Sequence, residues 1–312
     1  HINNQYIRQG ELDIHGLFVL EDCTEDCLAR QHYIQENIDN MLAVAQQVAE
    51  PLYDLDLYCD SPYECAYKGY CGRELPENSI FDVRGLHASK KYEYYHDGIV
   101  SFEDILKRNP KMSAKQYRQV ETKVFHKEPE IKKGMIKEFL DTLYYPIYNL
   151  DFETFQQPIP MFDGVSPYMQ IPFQYSLHVQ REKLGKTEHY EFLAKEGIDP
   201  RRELAESLCR DIPKNVCVLA YNMSFEKGVI RKLAEQFPDL SEHLTNIHDH
   251  IMDLMVPFQK QYYYCEAMEG SYSIKYVLPA LCPGDLELDY HALEGVHNGS
   301  EASSTYAVSH TK

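Results

Sequence analysis

The stretch that most constrains this chain runs from Tyr144 to Thr154, an apolar segment that turns acidic at its far end. Tyr144 to Leu150 reads as a β-strand that delivers Asp151 and Glu153. Side chains at i and i+2 of a strand share a face, so the two carboxylates point the same way and Phe152 turns into the core. Neighbouring carboxylates repel unless a cation lies between them. A hard divalent ion with oxygen ligands is the natural partner. Solvated acids at a strand end are the simpler alternative for so short a motif, and the residues downstream decide between the two.

With 312 residues the chain has room for two domains, or for one large domain and an appendage. No apolar run approaches the roughly 18 residues a membrane span needs, and no signal peptide opens the sequence, so a cytoplasmic protein without a membrane partner is expected. The first residue is His1, not Met, and the opening reads as mid-sequence. A fragment is therefore expected. The net charge of −18 argues against passive electrostatic binding of nucleic acid and leaves room for an enzyme whose acidic site is neutralised by metal. Nine cysteines, an odd number, favour metal ligands or free thiols over a disulfide framework.

Residues 1–75 contain a short apolar run at Leu17 to Leu20, read as a strand, and a helical pattern from Glu25 to Ala49. Ile34, Ile38, Leu42, Val44 and Ala45 recur at helical spacing before Pro51. Cys59, Cys65 and Cys71 follow in a compact loop with Pro62 and Gly69 between them. Such a loop can converge three thiolates on zinc or an iron–sulfur cluster, both of which need a fourth ligand. Free or buried thiols are the alternative. The loop resembles the C-terminal end of RecB-type nucleases that carry a four-cysteine [4Fe–4S] cluster. The nuclease core of those enzymes lies upstream and is not visible here. The resemblance implies a remnant with three of four ligands and a missing N-terminal nuclease module. Cys23 and Cys27, one helical turn apart, are candidates for the fourth.

Residues 76–143 read as a connecting segment with helices at Ser101 to Lys107, Ser113 to Val124 and Glu128 to Leu143. Ser101 with Asp104, and Ser113 ahead of an apolar-periodic run, are helix starts. Ten Lys and Arg face six acids between positions 101 and 140. A solvated helical linker is the preferred reading, and a phosphate-contacting module the alternative.

Residues 144–312 carry further strands at Ile171 to Val179 and Glu188 to Leu193, a helix at Pro200 to Arg210, and an apolar run at Val216 to Tyr221 that marks a buried central strand. That run ends in Asn222-Met223-Ser224-Phe225-Glu226 and leads into a helix through Leu233 and Ala234. A helix capped by Ser271 or Ser273 and a last helix from about Gly299 complete the pattern. The order fits an α/β fold, a ribonuclease H-like mixed sheet with flanking helices, preceded by a small helical Cys-rich segment. A second acidic site just beyond a central strand lies where a sheet's ligands gather.

These motifs resemble the DEDD exonucleases, the DnaQ-like group with a ribonuclease H-like fold. Asp151-x-Glu153-Thr154 matches their first motif. Asn222-x-x-Phe225-Glu226 matches the second with Glu for Asp, Asp253-Leu254 the third, and Glu301-Ala302 the last, with His297 four residues ahead. The chain as a whole is similar to a bacterial family of unknown function that fuses an iron–sulfur RecB-like nuclease to a DnaQ-like domain. The resemblance implies a 3′–5′ exonuclease on a single-stranded 3′ end of DNA or RNA, with DNA repair or anti-phage defence as its setting. It implies two Mg²⁺ or Mn²⁺ ions held by Asp151, Glu153, Glu226 and Glu301, with His297 as general base and His291 and Tyr290 in reserve. Asp253 either joins the metal set or, as preferred, is a helix-capping or loop acid. Thr154, Asn222 and Phe225 meet the substrate or shape the site. A catalytically weak binding or regulatory module with a structural metal is the alternative.

Overall fold

A computed structural model of the chain describes residues 1–285, 288 and 299–307. Two compact units result, one formed by residue 1 and residues 18–127, the other by residues 2–17 and 128–312. The division thus falls at 127/128 where the sequence suggested 75 and 143. No helix among the described residues is long and apolar enough to cross a membrane.

The first unit contains α1 (Thr24–Ala45), α2 (Ala88–His96), α3 (Phe102–Arg108) and α4 (Ala114–Phe125). Helix α1 stops at Ala45, short of the expected Ala49, as the Gln46 N–H turns back to the Leu42 carbonyl and Gln47 to that of Val44. Reciprocal capping boxes start α3 and α4. The Ser101 hydroxyl accepts the Asp104 N–H at 3.1 Å and Asp104 accepts the Ser101 N–H at 3.0 Å, while Ser113 and Gln116 repeat the arrangement. Helices α2, α3 and α4 enclose a core of Ile80, Val83, Tyr94, Ile99, Phe102, Ile105 and Val120, so the basic segment up to Val124 is part of a packed body and not a solvated linker, whereas its residues 128–140 belong to the second unit.

The Cys-rich loop is closed by hydrogen bonds around Asp60. Lys68 Nζ donates to Asp60 at 2.6 Å and the Tyr92 hydroxyl at 2.7 Å, and the Lys68 ammonium, donating this hydrogen bond, holds the Asp60 carboxyl below its usual range. Cys59 is buried with Leu55 and Tyr92. Cys65 and Cys71 are exposed, as are Cys23 and Cys27.

The second unit contains α5 (Lys133–Leu140), β1 (Ile147–Phe155), β2 (Ile171–Gln180), β3 (Thr187–Leu193), α6 (Arg201–Asp211), β4 (Cys217–Ala220), α7 (Ser224–Gln236), α8 (Ser241–Asp249), β5 (Ile251–Asp253), α9 (Ile274–Leu281) and α10 (Gly299–Ala307). Helix α5 is shorter than the expected Glu128 to Leu143, because Glu130 and Ile131 pair with Tyr264 and Tyr263 as a small antiparallel ribbon. Nor is Leu17 to Leu20 a strand; Leu17 ends a helical turn, Ile14–Leu17.

The five strands form one mixed sheet in the order β3-β2-β1-β4-β5. The first three strands form an antiparallel meander, and β4 and β5 add in parallel to β1. Strand β1 starts later than expected and continues past the acids to Phe155, so Asp151 and Glu153 lie within it. Its even positions Tyr148, Leu150 and Phe152 enter a core shared with Tyr175, Leu177, Leu204, Leu208, Val218, Ile230 and Leu233. All four residues of β4 are buried, as befits a strand flanked on both sides.

Candidate carboxylate cleft

The parallel register of β1 and β4 pairs Asn149 with Leu219, which brings Asp151 beside the point where β4 ends. There the chain turns. Asn222 adopts a left-handed backbone, φ +69°, a conformation Asn tolerates better than other non-glycine residues. Helix α7 begins two residues later and carries Glu226 in its first turn. Asp151, Glu153 and Glu226 therefore line one cleft of about 600 Å³ at the carboxyl end of the parallel strands, the usual ligand position in such sheets.

A β-bulge between Glu153 and Thr154 re-aims the strand. Strict alternation would send these two side chains to opposite faces, yet both line the cleft. Asn222 and Phe225 line it too, with Tyr221, Gln156 and Gln170. The loop between β1 and β2 is held from behind. The Arg8 guanidinium donates to the carbonyls of Pro160 and Met161 at 3.0 and 2.8 Å. Buried Arg201 grips Asp199 and donates to the Asp163 carbonyl at 2.6 Å.

Electrostatics mark the three acids. Asp151 is reached by solvent, yet the surrounding protein raises its pKa by desolvation. Desolvation and then the charge of Asp151 raise that of Glu153. Glu226 is 3% exposed and is pushed up to about 7, by burial first and then by Asp151 and Asp253. Among the described residues only Arg201 Nη1 and Glu226 Oε2 are buried side-chain polar atoms without a hydrogen-bond partner. An acceptor left bare inside a protein costs free energy, and a cation would satisfy it. The donor chemistry thus fits a hard divalent ion, although no group of three or more His, Cys, Asp or Glu among the described residues is arranged to hold a metal as they stand.

Asp253 is the acid with a structural task. Its Oδ1 accepts the N–H of Asn222 at 3.0 Å and that of Met255 at 2.9 Å, so it brackets two loop segments and does not cap the helical turn Val256–Gln259, whose N-cap is Met255, and it is not among the cleft's lining. Helix α10 reaches the cleft through Ser303 and Ser304. Tyr306 anchors it, stacked on Phe173 at 4.2 Å and donating to the Lys195 carbonyl at 3.3 Å. Glu301, the expected fourth ligand, lies in the first turn of this helix outside the cleft lining. His297, His291 and Tyr290 fall outside the described residues. Sequence reasoning missed Tyr221, Gln156, Gln170 and the two serines. Tyr221 was within reach, as the residue directly after a central strand. The glutamines and serines carry no local signal.

Residues 148–273 match the model of a domain of unknown function, DUF2779, a span that includes Asp151, Glu153, Glu226 and Asp253 and stops short of α10. No curated protein and no solved structure matches the chain.

Proposed function

We propose that the second unit is a metal-dependent 3′–5′ exonuclease of the DEDD type, hydrolysing phosphodiester bonds of DNA or RNA. The observation that carries this reading is the convergence of Asp151, Glu153 and Glu226 on one cleft, with a buried Glu226 oxygen left without a partner. The sheet order, a meander extended by two parallel strands, supports a ribonuclease H-like fold.

On this reading Asp151, Glu153 and Glu226 hold Mg²⁺ or Mn²⁺. A pair of such ions supplies an activated water and stabilises the leaving oxygen. The chain's own side chains do the rest. Thr154, Gln156, Gln170 and Asn222 offer neutral hydrogen-bonding groups to sugar and phosphate without adding negative charge. Tyr221 and Phe225 supply aromatic faces for a terminal base. His297 is proposed to orient the water.

A binding or regulatory module is the second reading. It is favoured by Ser303 and Ser304 standing in the cleft where a fourth acid is expected. The deciding experiment is Mn²⁺-dependent digestion of 5′-labelled single-stranded DNA and RNA, wild type beside Asp151→Ala/Glu153→Ala. A ladder from the 3′ end that vanishes in the variant supports the exonuclease. No ladder on either nucleic acid, in Mn²⁺ or Mg²⁺, favours the binding module.

A further inference from the structure

The loop that joins β1 to β2, residues 156–170, carries no regular structure. A connection of that length is uncommon in a packed domain and needs anchors to offset the entropy of ordering it. Gln156 opens the loop, Gln170 closes it, and both line the carboxylate cleft. Its neck is tied where the Tyr168 N–H donates to the Gln157 carbonyl at 2.8 Å. Inside, Val165 is buried in a cluster with Phe155, Ile171 and Phe173, against which Tyr306 of α10 packs. Outside, the loop is gripped from far upstream. Residues 2–17 belong to the second unit although residues 18–127 separate them from its body. The Arg8 N–H donates to the Val165 carbonyl at 3.1 Å, and the Arg8 carbonyl accepts the Gly164 N–H at 2.8 Å. The Arg8 guanidinium donates to the carbonyls of Gly10, Pro160 and Met161 at 2.9, 3.0 and 2.8 Å. The Gly10 N–H in turn donates to Asp163 Oδ1 at 2.8 Å.

We infer that Arg8 is a positioning residue of the cleft, which acts on a bound nucleic-acid strand through Gln156 and Gln170 without touching it. Arg8 is not among the residues that line the cleft, and its planar fork is occupied by three carbonyls. Asp151 and Glu153 stand on β1 and Glu226 on α7, so loosening the loop leaves these acids in place. What moves is the wall that carries the two glutamine amides, and displacements near an angstrom matter for groups that position a substrate. Arg8 lies outside the matched span 148–273, so the cleft draws on a residue that the matched domain does not contain. The inference rests on the nuclease reading, because the wall acts on a strand only if one lies against it.

The test uses the full chain, wild type beside Arg8→Ala, with single-stranded DNA and RNA oligonucleotides as probes. In Mn²⁺ the variant should raise KM roughly tenfold, the scale of one charged hydrogen bond lost, and leave kcat within about twofold, the signature of lost substrate binding. Anisotropy of a labelled strand in Ca²⁺ should show the same loss of affinity. Amide exchange should quicken across residues 156–170 and stay unchanged in β1 and α7, which shows that the unit remains folded. An active wild type with unchanged KM in the variant, a fall in kcat at constant KM, or exchange that quickens throughout the unit would each overturn the role of Arg8 and leave the nuclease reading standing. A wild type that neither cleaves nor binds either strand would overturn both. A wild type that binds without cleaving would overturn the nuclease alone, and the affinities would then decide for or against Arg8.

Discussion

Asp253 holds the backbone of Asn222: its Oδ1 accepts the Asn222 N–H at 3.0 Å and the Met255 N–H at 2.9 Å. The acid at the end of β5 therefore fixes the turn from which α7 departs, and with it the position of Glu226. Asp253→Ala leaves two N–H groups with a lost charged acceptor, worth about 3 kcal/mol together. Asp253→Asn keeps an oxygen at the same place and should recover most of that loss. Urea unfolding of the three proteins checks the order; equal losses in both variants would mean that charge, not the acceptor, matters.

Glu226 gives the cleft its own pH dependence. Its folded pKa, about 7, lies above the ordinary 4.5, so between these values the folded protein binds more protons than the unfolded chain. Stability then falls as pH rises from 4.5 to 7 and is level above, by roughly 3 kcal/mol in all. Glu226→Gln removes this term. In chelator at pH 8 the variant should melt higher than wild type, and at pH 4 the two should coincide. A variant less stable than wild type at pH 8 would show that the bare carboxylate is already satisfied.

Divalent ions should act in the opposite direction. Mn²⁺ binding only to the folded cleft stabilises by about 2.7 kcal/mol at 100 times its Kd. Thermal melting at pH 8 should shift upward with Mn²⁺ in wild type and stay fixed in Asp151→Asn/Glu153→Gln. A shift of equal size in both proteins places the ion elsewhere.

Tyr306 ties α10 to the end of the sheet. Tyr306→Phe keeps the stack on Phe173 and loses the 3.3 Å hydrogen bond to the Lys195 carbonyl, so it should retain most of the wild-type docking. Tyr306→Ala removes an aromatic pair worth about 0.5–1.5 kcal/mol beyond its buried area, and amide exchange across residues 299–307 should quicken. Unchanged exchange would mean that other contacts dock the helix.

The Cys-rich loop makes a chemical prediction. Under a thiol reagent Cys65 and Cys71, both exposed, should label ahead of buried Cys59, and Asp60→Ala should speed the labelling of Cys59 by opening the loop. Simultaneous protection of all three, released by chelator, would instead reveal a metal that gathers them.

Much of this architecture was legible because it rests on local periodicity. The alternation around Asp151 put Phe152 inside, the apolar run of β4 marked a central strand, and the serines at 101 and 113 announced their helices. The first follows from the two-residue repeat of a strand, the second from burial on both faces and the third from a hydroxyl that accepts an N–H three residues on; none needs knowledge of distant neighbours.

What the tertiary structure alone decided concerns partners distant in sequence. Whether an acid is a bracket or a bare carboxylate depends on which N–H groups reach it, and this separates Asp253 from Glu226. The bulge after Glu153 arises from the pairing of β1 with β2, and it turns Thr154 towards the cleft. Helix α10 meets the cleft with Ser303 and Ser304, and not with Glu301, because the docking of Tyr306 on Phe173 sets its rotation. The cysteine loop is shaped by Asp60, Lys68 and Tyr92, the last of them a helix away. Sequence spacing brought the acids into one neighbourhood; packing and hydrogen bonds determined which of them stayed unpaired.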